Sequence, residues 1–347
     1  MKAAVYHGPP GSWPEKPLNI EEVPAPVPGP KEVLVKVAAC GLCHTDVTIL
    51  RGAPIVDDFP IILGHEPSGI VTEVGAGVTA IQPGQRVIVS SNFPCLTCDE
   101  CRSGNENRCA NSTLIGVNCN GALAEYIVAP ETGVYTIPDS LSLEESCIVA
   151  DIVCTAYHAV YNRANVRPGD TVAIYGASGA IGLMCVQYAS AIGATVIAIG
   201  RKKWKLEIAR ELGADEIISS EETQELARTI RTMTNGGVDT SLDTSGVPAM
   251  LENALRSTRV GGSIVEIALS FDKIQVSLNR LMWWEHNIMG SRTFNPTVIP
   301  KAFKLIEKGI VRLDKLVSHR FKLDQVNEAY QMLERGELIR GVVIPGD

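Results

Sequence analysis

The sequence predicts an α/β protein with two domains, a mainly antiparallel β domain followed by a doubly wound parallel sheet. The chain has 347 residues, which is too many for one comfortable hydrophobic core and enough for two. Its first part contains short alternating apolar runs separated by proline and glycine. From Thr171 onward, apolar strands alternate with helical segments, which is typical of a parallel sheet with crossover helices.

The antiparallel domain is predicted at residues 1–151. Met1 leads directly into a strand, and the runs at 33–37 and 86–89 show the alternation and the flanking turns of antiparallel strands. No basic start with an apolar block and a cleavage site opens the chain, so we expect a cytoplasmic protein.

The parallel-sheet domain is predicted at residues 152–288. Helical spacing with charged outer faces at 203–212 and 224–233 indicates crossover helices. A segment at 289–347, with a helix at 301–308 and a strand at 341–344, is expected to return to the first domain. The predicted strands of the parallel sheet lie at 171–175, 195–199, 216–219, 238–243 and 263–268.

Residues 172–200 contain no charged side chain, and this run is longer than the roughly 20 residues of a membrane span. Glycines at positions 176, 179, 182, 193 and 200 interrupt it repeatedly. A strand, a turn, a helix and a second strand therefore explain the run better than a membrane helix does.

The net charge of −8 opposes a nucleic-acid footprint, which requires clustered lysine and arginine. We therefore expect a small-molecule substrate, and neither a nucleic acid nor a membrane as a partner.

Ten cysteines are many for a reduced cytoplasm, and four of them share one loop at Cys95, Cys98, Cys101 and Cys109. Four thiolates at this spacing can close a tetrahedral shell around Zn²⁺, which leaves no open position and predicts a structural zinc. The alternatives are four unrelated cysteines or two disulfides.

Other candidate ligands are scattered, at Cys43, His65 and Asp151. Each is a weak signal alone, because a single buried histidine or cysteine is more often part of a core than a metal ligand.

The order of several motifs resembles the zinc-dependent medium-chain alcohol dehydrogenases. Gly64-His65-Glu66-Pro-Ser-Gly69, with Gly75 and Val78 after it, is similar to the zinc signature of this family. The four-cysteine loop and a glycine-rich turn follow in the expected order, and the resemblance covers essentially the whole chain. It implies a GroES-like catalytic domain and a Rossmann cofactor domain.

The resemblance also implies that Cys43, His65 and a third residue hold a catalytic zinc whose fourth position takes water or the substrate oxygen. We identify Asp151 as the third ligand, where many relatives have cysteine, and Cys154 is the competing candidate. Glu66 would approach the metal, either supporting its ligands from behind or exchanging with one of them.

Three residues near Cys43 acquire roles through the same resemblance. Asp46 is similar to the carboxylate that orients the zinc histidine, and Thr45 to the hydroxyl that relays the substrate proton. His44 is expected to touch the cofactor phosphates, although an ordinary loop histidine is the alternative.

A glycine-rich turn follows the strand at 171–175 and opens into a helix near Ile181, the context in which backbone amides bind a pyrophosphate. Ala177 replaces the first glycine of the strict motif, as in related quinone reductases. The predicted cofactor contacts in the turn are Gly176, Ala177, Ser178, Gly179, Ala180 and Ile181.

The end of the second strand predicts NADP in preference to NAD. No carboxylate stands about 20 residues beyond the turn to bind a ribose 2′-hydroxyl. Gly200 leaves room for a 2′-phosphate, and Arg201 and Lys202 can pair with it. A solvated basic helix start is the alternative explanation. By resemblance, further cofactor contacts are Thr155, Thr244, Ser245, Ala268, Leu269 and Arg340.

We therefore expect a zinc-dependent oxidoreductase that moves hydride between NADP(H) and an alcohol, aldehyde or ketone, with one catalytic and one structural zinc per subunit. A zinc-free quinone or enoyl reductase of the same fold is the alternative, and a non-catalytic protein that keeps the fold is a third reading. Family members form dimers or tetramers, so we expect a homo-oligomer, either a homotetramer or a homodimer.

Overall fold

The computed structural model describes residues 1–9, 13–56 and 58–346 and divides into two compact units. The first unit comprises Met1–Asp151, Asn295–Phe303 and Leu313–Asp347. The second comprises Ile152–Phe294 and Lys304–Arg312, so two short stretches of the predicted returning segment, 289–294 and 304–312, belong to it.

The first unit is built mainly from β-strands, several of which alternate between buried and exposed side chains. In β9 (Tyr126–Pro130), Ile127 and Ala129 are buried, and Tyr126, Val128 and Pro130 are partly exposed. The strands are β1 (Lys2–Tyr6), β2 (Leu18–Glu22), β3 (Glu32–Gly41), β4 (Ile61–Ile62), β5 (Pro67–Val74), β6 (Arg86–Val89), β7 (Asn92–Phe93), β8 (Thr113–Leu114), β9 (Tyr126–Pro130) and β10 (Val134–Thr136). The last two strands of the chain, numbered after those of the second unit, are β17 (Val317–Lys322) and β18 (Arg340–Ile344).

The largest sheet of this unit has the order β10-β6-β5-β3-β18-β17, with β9 also paired to β3. Every pairing in it is antiparallel except that of β17 with β18. Smaller sheets are formed by β2-β1-β4 and by β7-β8. The helices of this unit are α1 (His44–Leu50), α2 (Asp99–Arg102), α3 (Leu143–Ser146) and α11 (Val326–Glu334).

The second unit contains one parallel sheet of six strands. Its order is β13-β12-β11-β14-β15-β16, in which the strand sequence reverses direction beside β11. In a sheet of this kind, ligands bind outside the carboxyl ends of the strands at the reversal. The strands are β11 (Thr171–Tyr175), β12 (Thr195–Gly200), β13 (Glu216–Ser219), β14 (Val238–Asp243), β15 (Thr258–Glu266) and β16 (Asn287–Gly290).

Helices accompany this sheet, as the crossover connections require. They are α4 (Cys154–Tyr157), α5 (Ala180–Ile192), α6 (Lys203–Glu211), α7 (Leu226–Met233), α8 (Pro248–Ser257) and α9 (Leu278–Trp284), and α10 (Ile299–Glu307) contributes residues to both units. Two π-helical segments, Val149–Val153 and His158–Arg163, flank α4.

The observed architecture confirms the predicted fold class. The charge-free run forms strand β11, helix α5 and strand β12 of the second unit and not a single long helix. None of the helices in the described part of the chain combines the length and the apolar character that a membrane span requires.

Candidate active site

The pairing of β3 with β5 brings the candidate ligands Cys43, His65 and Glu66 together at one corner of the first unit. β3 ends at Gly41, and Cys43, two residues later, is the N-cap residue of α1. Cys40 is paired with Pro67 across β3 and β5, so the residues just before β5 come back to the end of β3. The Gly41 N–H donates to the Glu66 carbonyl at 3.0 Å, which fixes this return.

Four donor groups converge at this corner. One ligand atom from each of Cys43, His65, Glu66 and Asp151 lies within 4.8 Å of the others. Oδ2 of Asp151 is 3.9 Å from the Cys43 sulfur and 3.9 Å from Nε2 of His65. Sulfur, imidazole nitrogen and carboxylate oxygen are the usual protein ligands of Zn²⁺, and the cluster can therefore hold such an ion.

Asp46 lies behind His65. Its Oδ1 is 3.3 Å from Nδ1 of the imidazole, and its Oδ2 accepts a hydrogen bond from the Tyr330 hydroxyl at 2.8 Å. The Asp46 carboxylate is fully buried. The imidazole is thereby oriented with Nε2 toward the side of Cys43 and Asp151.

The charges around His65 favour a cation. Burial disfavours a protonated imidazole, but the negative charges of Asp46 and Cys43 outweigh burial and raise the pKa of His65. Burial likewise disfavours the Cys43 thiolate, yet the charges of Arg340 and His65 lower the pKa of Cys43 overall. This pocket therefore stabilises a thiolate together with a positive charge beside it, as a metal site requires.

Arg340 begins β18, which pairs with the end of β3, and it reaches the same corner. Its guanidinium binds the Glu66 carboxylate through Nη2 and, at 3.3 Å, through Nε. Nη2 also lies 3.7 Å from Oδ2 of Asp151. Both members of the Glu66–Arg340 pair are buried, so this arginine, expected to contact a cofactor phosphate, is bound to a carboxylate inside its own unit.

The remaining predicted residues near Cys43 have different surroundings. The Thr45 hydroxyl lies 3.5 Å from the Cys43 sulfur and is partly accessible, while His44 is exposed. Among the residues that the structure describes, the group of four donors contains Asp151 but not Cys154, which lies in α4. The geometry thus favours Asp151 over Cys154 as a ligand.

The four-cysteine loop also brings its sulfurs together. Cys98 Sγ is 3.5 Å from Cys101 Sγ and 3.8 Å from Cys109 Sγ, and Cys109 Sγ is 3.5 Å from Cys95 Sγ. A tetrahedral zinc with bonds of about 2.3 Å places its sulfurs roughly 3.8 Å apart. All four thiols are free, so the disulfide alternative is not what the structure contains.

The electrostatics of this loop also fit a cation. Hydrogen bonds from Thr97 and from the Cys98 amide lower the pKa of Cys95 to about 5. Burial and the adjacent sulfurs raise the pKa of Cys101 to about 12. Four clustered thiols can all lose their protons only if a bound cation compensates the charge.

In the second unit, the glycine-rich turn connects β11 to α5. Gly176 has φ +78°, and a side chain there would meet Thr244 Oγ1 at 2.6 Å. A side chain at Gly182 would meet the Cα of Ala177 at 2.6 Å, so the helix packs against the turn that precedes it. Gly179 is the N-cap residue of the 13-residue helix α5, whose first amides have no partner within the helix.

The ends of the neighbouring strands surround this turn. Thr244 donates through its amide and its hydroxyl to the Tyr175 carbonyl, both at 2.9 Å. Ala177 donates to the Ile199 carbonyl at 2.9 Å, one residue before Gly200. Arg201 and Lys202 follow and are exposed. Ser245, Ala268 and Leu269 lie just beyond β14 and β15, and Thr155 is buried in α4.

Two contacts between polar residues could not be predicted from the sequence. Tyr330, which bonds to Asp46, reads as an ordinary core position of an amphipathic helix. Asp243 and Glu266 end two buried strands and lie beside each other, but nothing in their local sequence predicts that contact.

Comparison with known proteins gives one consistent family. Residues 29–139 match the alcohol dehydrogenase GroES-like domain, and residues 180–308 match the zinc-binding dehydrogenase domain. An alcohol dehydrogenase of Geobacillus stearothermophilus is 34% identical over 335 residues, covering 96% of this chain and 97% of that protein. A sorbitol dehydrogenase of Bacillus subtilis (strain 168) is 34% identical over 354 residues, covering 99% and 97%.

A solved structure described as an NAD-dependent alcohol dehydrogenase superposes with a TM-score of 0.92 at 30% identity and covers 100% of both chains. The domain matches, these whole-chain relatives and the four-cysteine cluster all agree. The chain therefore belongs to the zinc-dependent medium-chain alcohol dehydrogenase family.

Proposed function

We propose that this oxidoreductase transfers hydride between NADP(H) and an alcohol, or the corresponding aldehyde or ketone. The proposed catalytic zinc is held by Cys43, His65 and Asp151, and a structural zinc by the four-cysteine loop. The observation that carries the proposal is the convergence of a thiol, an imidazole and a carboxylate within 4.8 Å in a pocket that favours positive charge.

The fit of a zinc ion rests on the donor set. A zinc ion bound there would act as a Lewis acid that makes an alcohol easier to deprotonate and a carbonyl more electrophilic. Three protein ligands leave one position for the substrate oxygen, which is the arrangement of catalytic zinc sites.

The protein groups have separable tasks. Asp46 keeps His65 oriented and is itself held by Tyr330. Arg340 binds Glu66 and keeps that carboxylate beside the three proposed zinc ligands. Thr45, adjacent to the Cys43 sulfur and partly accessible, would accept the substrate proton at Oγ1 while releasing its own hydroxyl proton to solvent, and the exposed His44 would contact the cofactor phosphates.

The proposed cofactor site lies at the carboxyl edge of the parallel sheet. The amides at the start of α5 would bind the pyrophosphate, with Gly176, Ala177, Ser178, Gly179, Ala180 and Ile181 forming the cradle. The residues after β14 and β15, together with Thr155, are proposed to contact the adenosine and nicotinamide parts. Arg340 would contribute to phosphate binding only if its pairing with Glu66 loosened.

The preference for NADP is supported by the exposed Arg201 and Lys202 and by the lack of a carboxylate at the end of β12. One solved relative is described as NAD-dependent, so the preference must be measured for this chain. Because the curated relatives include a sorbitol dehydrogenase, polyols belong among the substrates tested.

The decisive experiment is a spectrophotometric screen of alcohols, polyols, aldehydes and ketones with NADPH and NADH in parallel, combined with zinc analysis. We expect two zinc ions per subunit, faster turnover with NADPH, and loss of turnover when a chelator removes the more exchangeable ion. Full turnover after that removal, with the four-cysteine loop still occupied, would refute the mechanism. Equal or faster rates with NADH would refute the cofactor preference.

A further inference from the structure

Two carboxyl side chains lie next to each other at the carboxyl edge of the parallel sheet. Asp243 ends β14 and Glu266 ends β15, and the two residues are direct partners in the parallel register. Neighbouring strands are about 4.8 Å apart, so side chains at such a pair of positions meet. Asp243 is fully buried and Glu266 is half-buried.

Each carboxyl group uses one oxygen to hold the loop that follows its own strand. Oδ1 of Asp243 accepts from the Ser245 amide at 2.8 Å and from the Ser245 hydroxyl at 2.7 Å. Oε1 of Glu266 accepts from the Ala268 amide at 2.9 Å. The other two oxygens, Oδ2 of Asp243 and Oε2 of Glu266, are buried and receive no donor from the described part of the chain.

One proton placed between these two oxygens would satisfy both. Two adjacent buried carboxylates repel each other, and each would be left without a donor. If one group is protonated, its hydroxyl donates to the free oxygen of the other, as in carboxyl pairs that titrate together.

We propose that Asp243 and Glu266 share one proton and thereby hold the Thr244–Gly246 and Ile267–Leu269 loops together in the arrangement that receives the cofactor. Both are positioning residues, and the inference rests on the proposed nicotinamide site. The two loops are already in contact, because a side chain at Gly246 would meet the Cβ of Ala268 at 3.2 Å. The Ile267 amide also donates to the Asp243 carbonyl at 2.9 Å.

The surrounding charges agree with a shared proton. Burial, followed by the charge of Asp243, raises the pKa of Glu266 to about 8. Burial also raises the pKa of Asp243. On β11, Tyr175 is the titratable group near Asp243, and burial raises its pKa so that it stays neutral. No lysine, arginine or histidine of residues 1–9, 13–56 or 58–346 forms an ion pair with either carboxyl.

The first test is equilibrium binding of NADPH and of NADH, followed by fluorescence between about pH 6 and pH 10, without substrate. We expect the wild-type Kd to rise above about pH 8, by at most tenfold per pH unit, because the shared proton is lost. Glu266→Gln supplies an amide donor that does not titrate. The Kd of this variant should therefore stay, across this pH range, near the value that the wild type has at neutral pH. Glu266→Ala should bind more weakly at every pH.

Glu216→Gln is the matched control, since Glu216 is exposed at the start of β13 in the same sheet, and it should follow the wild-type profile. Circular dichroism of each variant verifies folding. A Glu266→Gln profile identical to that of wild type would overturn the proposal.

A second measurement does not depend on the cofactor. Infrared difference spectra of the protein alone between pH 7 and pH 10 should show the carbonyl stretch of a protonated carboxyl disappearing, and neither Glu266→Gln nor Asp243→Asn should show this change. Absence of the band from wild type would refute the shared proton. Presence of the band in a protein that binds neither NADPH nor NADH would instead refute the proposed cofactor site and the positioning role built on it.

Discussion

Nδ1 of His65 lies 3.3 Å from Oδ1 of Asp46, while Nε2 of the same ring lies 3.9 Å from Oδ2 of Asp151. One carboxylate therefore orients the imidazole, and the other shares with it the space that a metal would occupy. This division of roles gives different expectations for the two aspartates.

Replacing Asp46 should weaken the catalytic zinc site without removing a ligand. In Asp46→Asn the amide cannot stabilise the oriented imidazole in the same way, and we expect zinc affinity or turnover to fall by about 10–100-fold. Dialysis against graded chelator, with zinc counted per subunit, measures the loss. Tyr330→Phe removes only the hydrogen bond behind Asp46 and should have a smaller effect. Unchanged affinity in Asp46→Asn would show that the ring needs no such support.

Replacing Asp151 should remove a ligand. We expect Asp151→Ala to lose turnover and one zinc per subunit while the four-cysteine loop keeps its ion, because only two anchors remain at the catalytic site. Asp151→Cys restores a zinc ligand and should recover zinc binding. Cys154→Ala is the control and should bind two zinc ions. If Cys154→Ala loses the catalytic ion and Asp151→Ala does not, the third ligand has been assigned to the wrong residue.

The four-cysteine loop should contribute to stability and not to chemistry. Cys98→Ser should lose the structural zinc and lower Tm by about 5 °C or more, since metal-binding free energy is folding free energy. At a temperature where the variant stays folded, kcat should remain close to the wild-type value. Thermal unfolding and steady-state kinetics on the same preparation separate these effects, and a collapse of kcat without a change in Tm would contradict the assignment.

The two cations after β12 should determine the cofactor preference. We expect Arg201→Gln combined with Lys202→Gln to raise the Kd for NADPH about 10–100-fold, because hydrogen bonds from charged groups to the 2′-phosphate are lost. The Kd for NADH should change little. Arg210→Gln, at the other end of α6 and paired with Glu207, is the matched control. An equal loss for both cofactors would show that these cations do not read the 2′-phosphate.

The Asp243–Glu266 pair should make the protein less stable as pH rises. A carboxyl whose pKa is raised on folding binds more protons in the native state than in the unfolded state. Its favourable contribution is complete below the unfolded value of 4.5 and is lost as pH rises through the folded value of about 8. Denaturant unfolding at several pH values gives the free energy of unfolding of wild type and of Glu266→Gln. As pH rises through this window, that free energy should fall for wild type relative to the variant. Parallel curves would argue that Glu266 ionises normally.

The parallel sheet was largely predictable from the sequence because its strands are buried apolar runs with clear boundaries. β11, β13 and β14 have the predicted bounds. β15 begins at Thr258, five residues before the predicted start, because Gly261 and Gly262 lie inside the strand and resemble a turn in the sequence. β16 was not predicted, since its four residues are mostly exposed and show no alternation of buried and exposed positions.

The candidate site was predictable where motifs are local and not where it depends on distant pairs. Cys43, His65 and Asp151 follow from the family resemblance, and the structure brings them together. The contact between Tyr330 and Asp46 joins residues 284 positions apart, and that between Arg340 and Glu66 joins residues 274 apart. Such pairs are set by strand order, which no short pattern encodes.

Asp151 lies in the π-helical segment Val149–Val153, directly before α4. A π-turn holds one more residue than an α-turn, and successive residues of an α-helix are rotated by about 100°. Deleting a single residue between Ser146 and Asp151 would let the segment relax to regular helix and turn the carboxylate roughly a quarter of a revolution away from Cys43 and His65. The length of this stretch consequently positions the ligand as much as the identity of residue 151 does, and we expect homologues that exchange aspartate for cysteine here to preserve the number of residues.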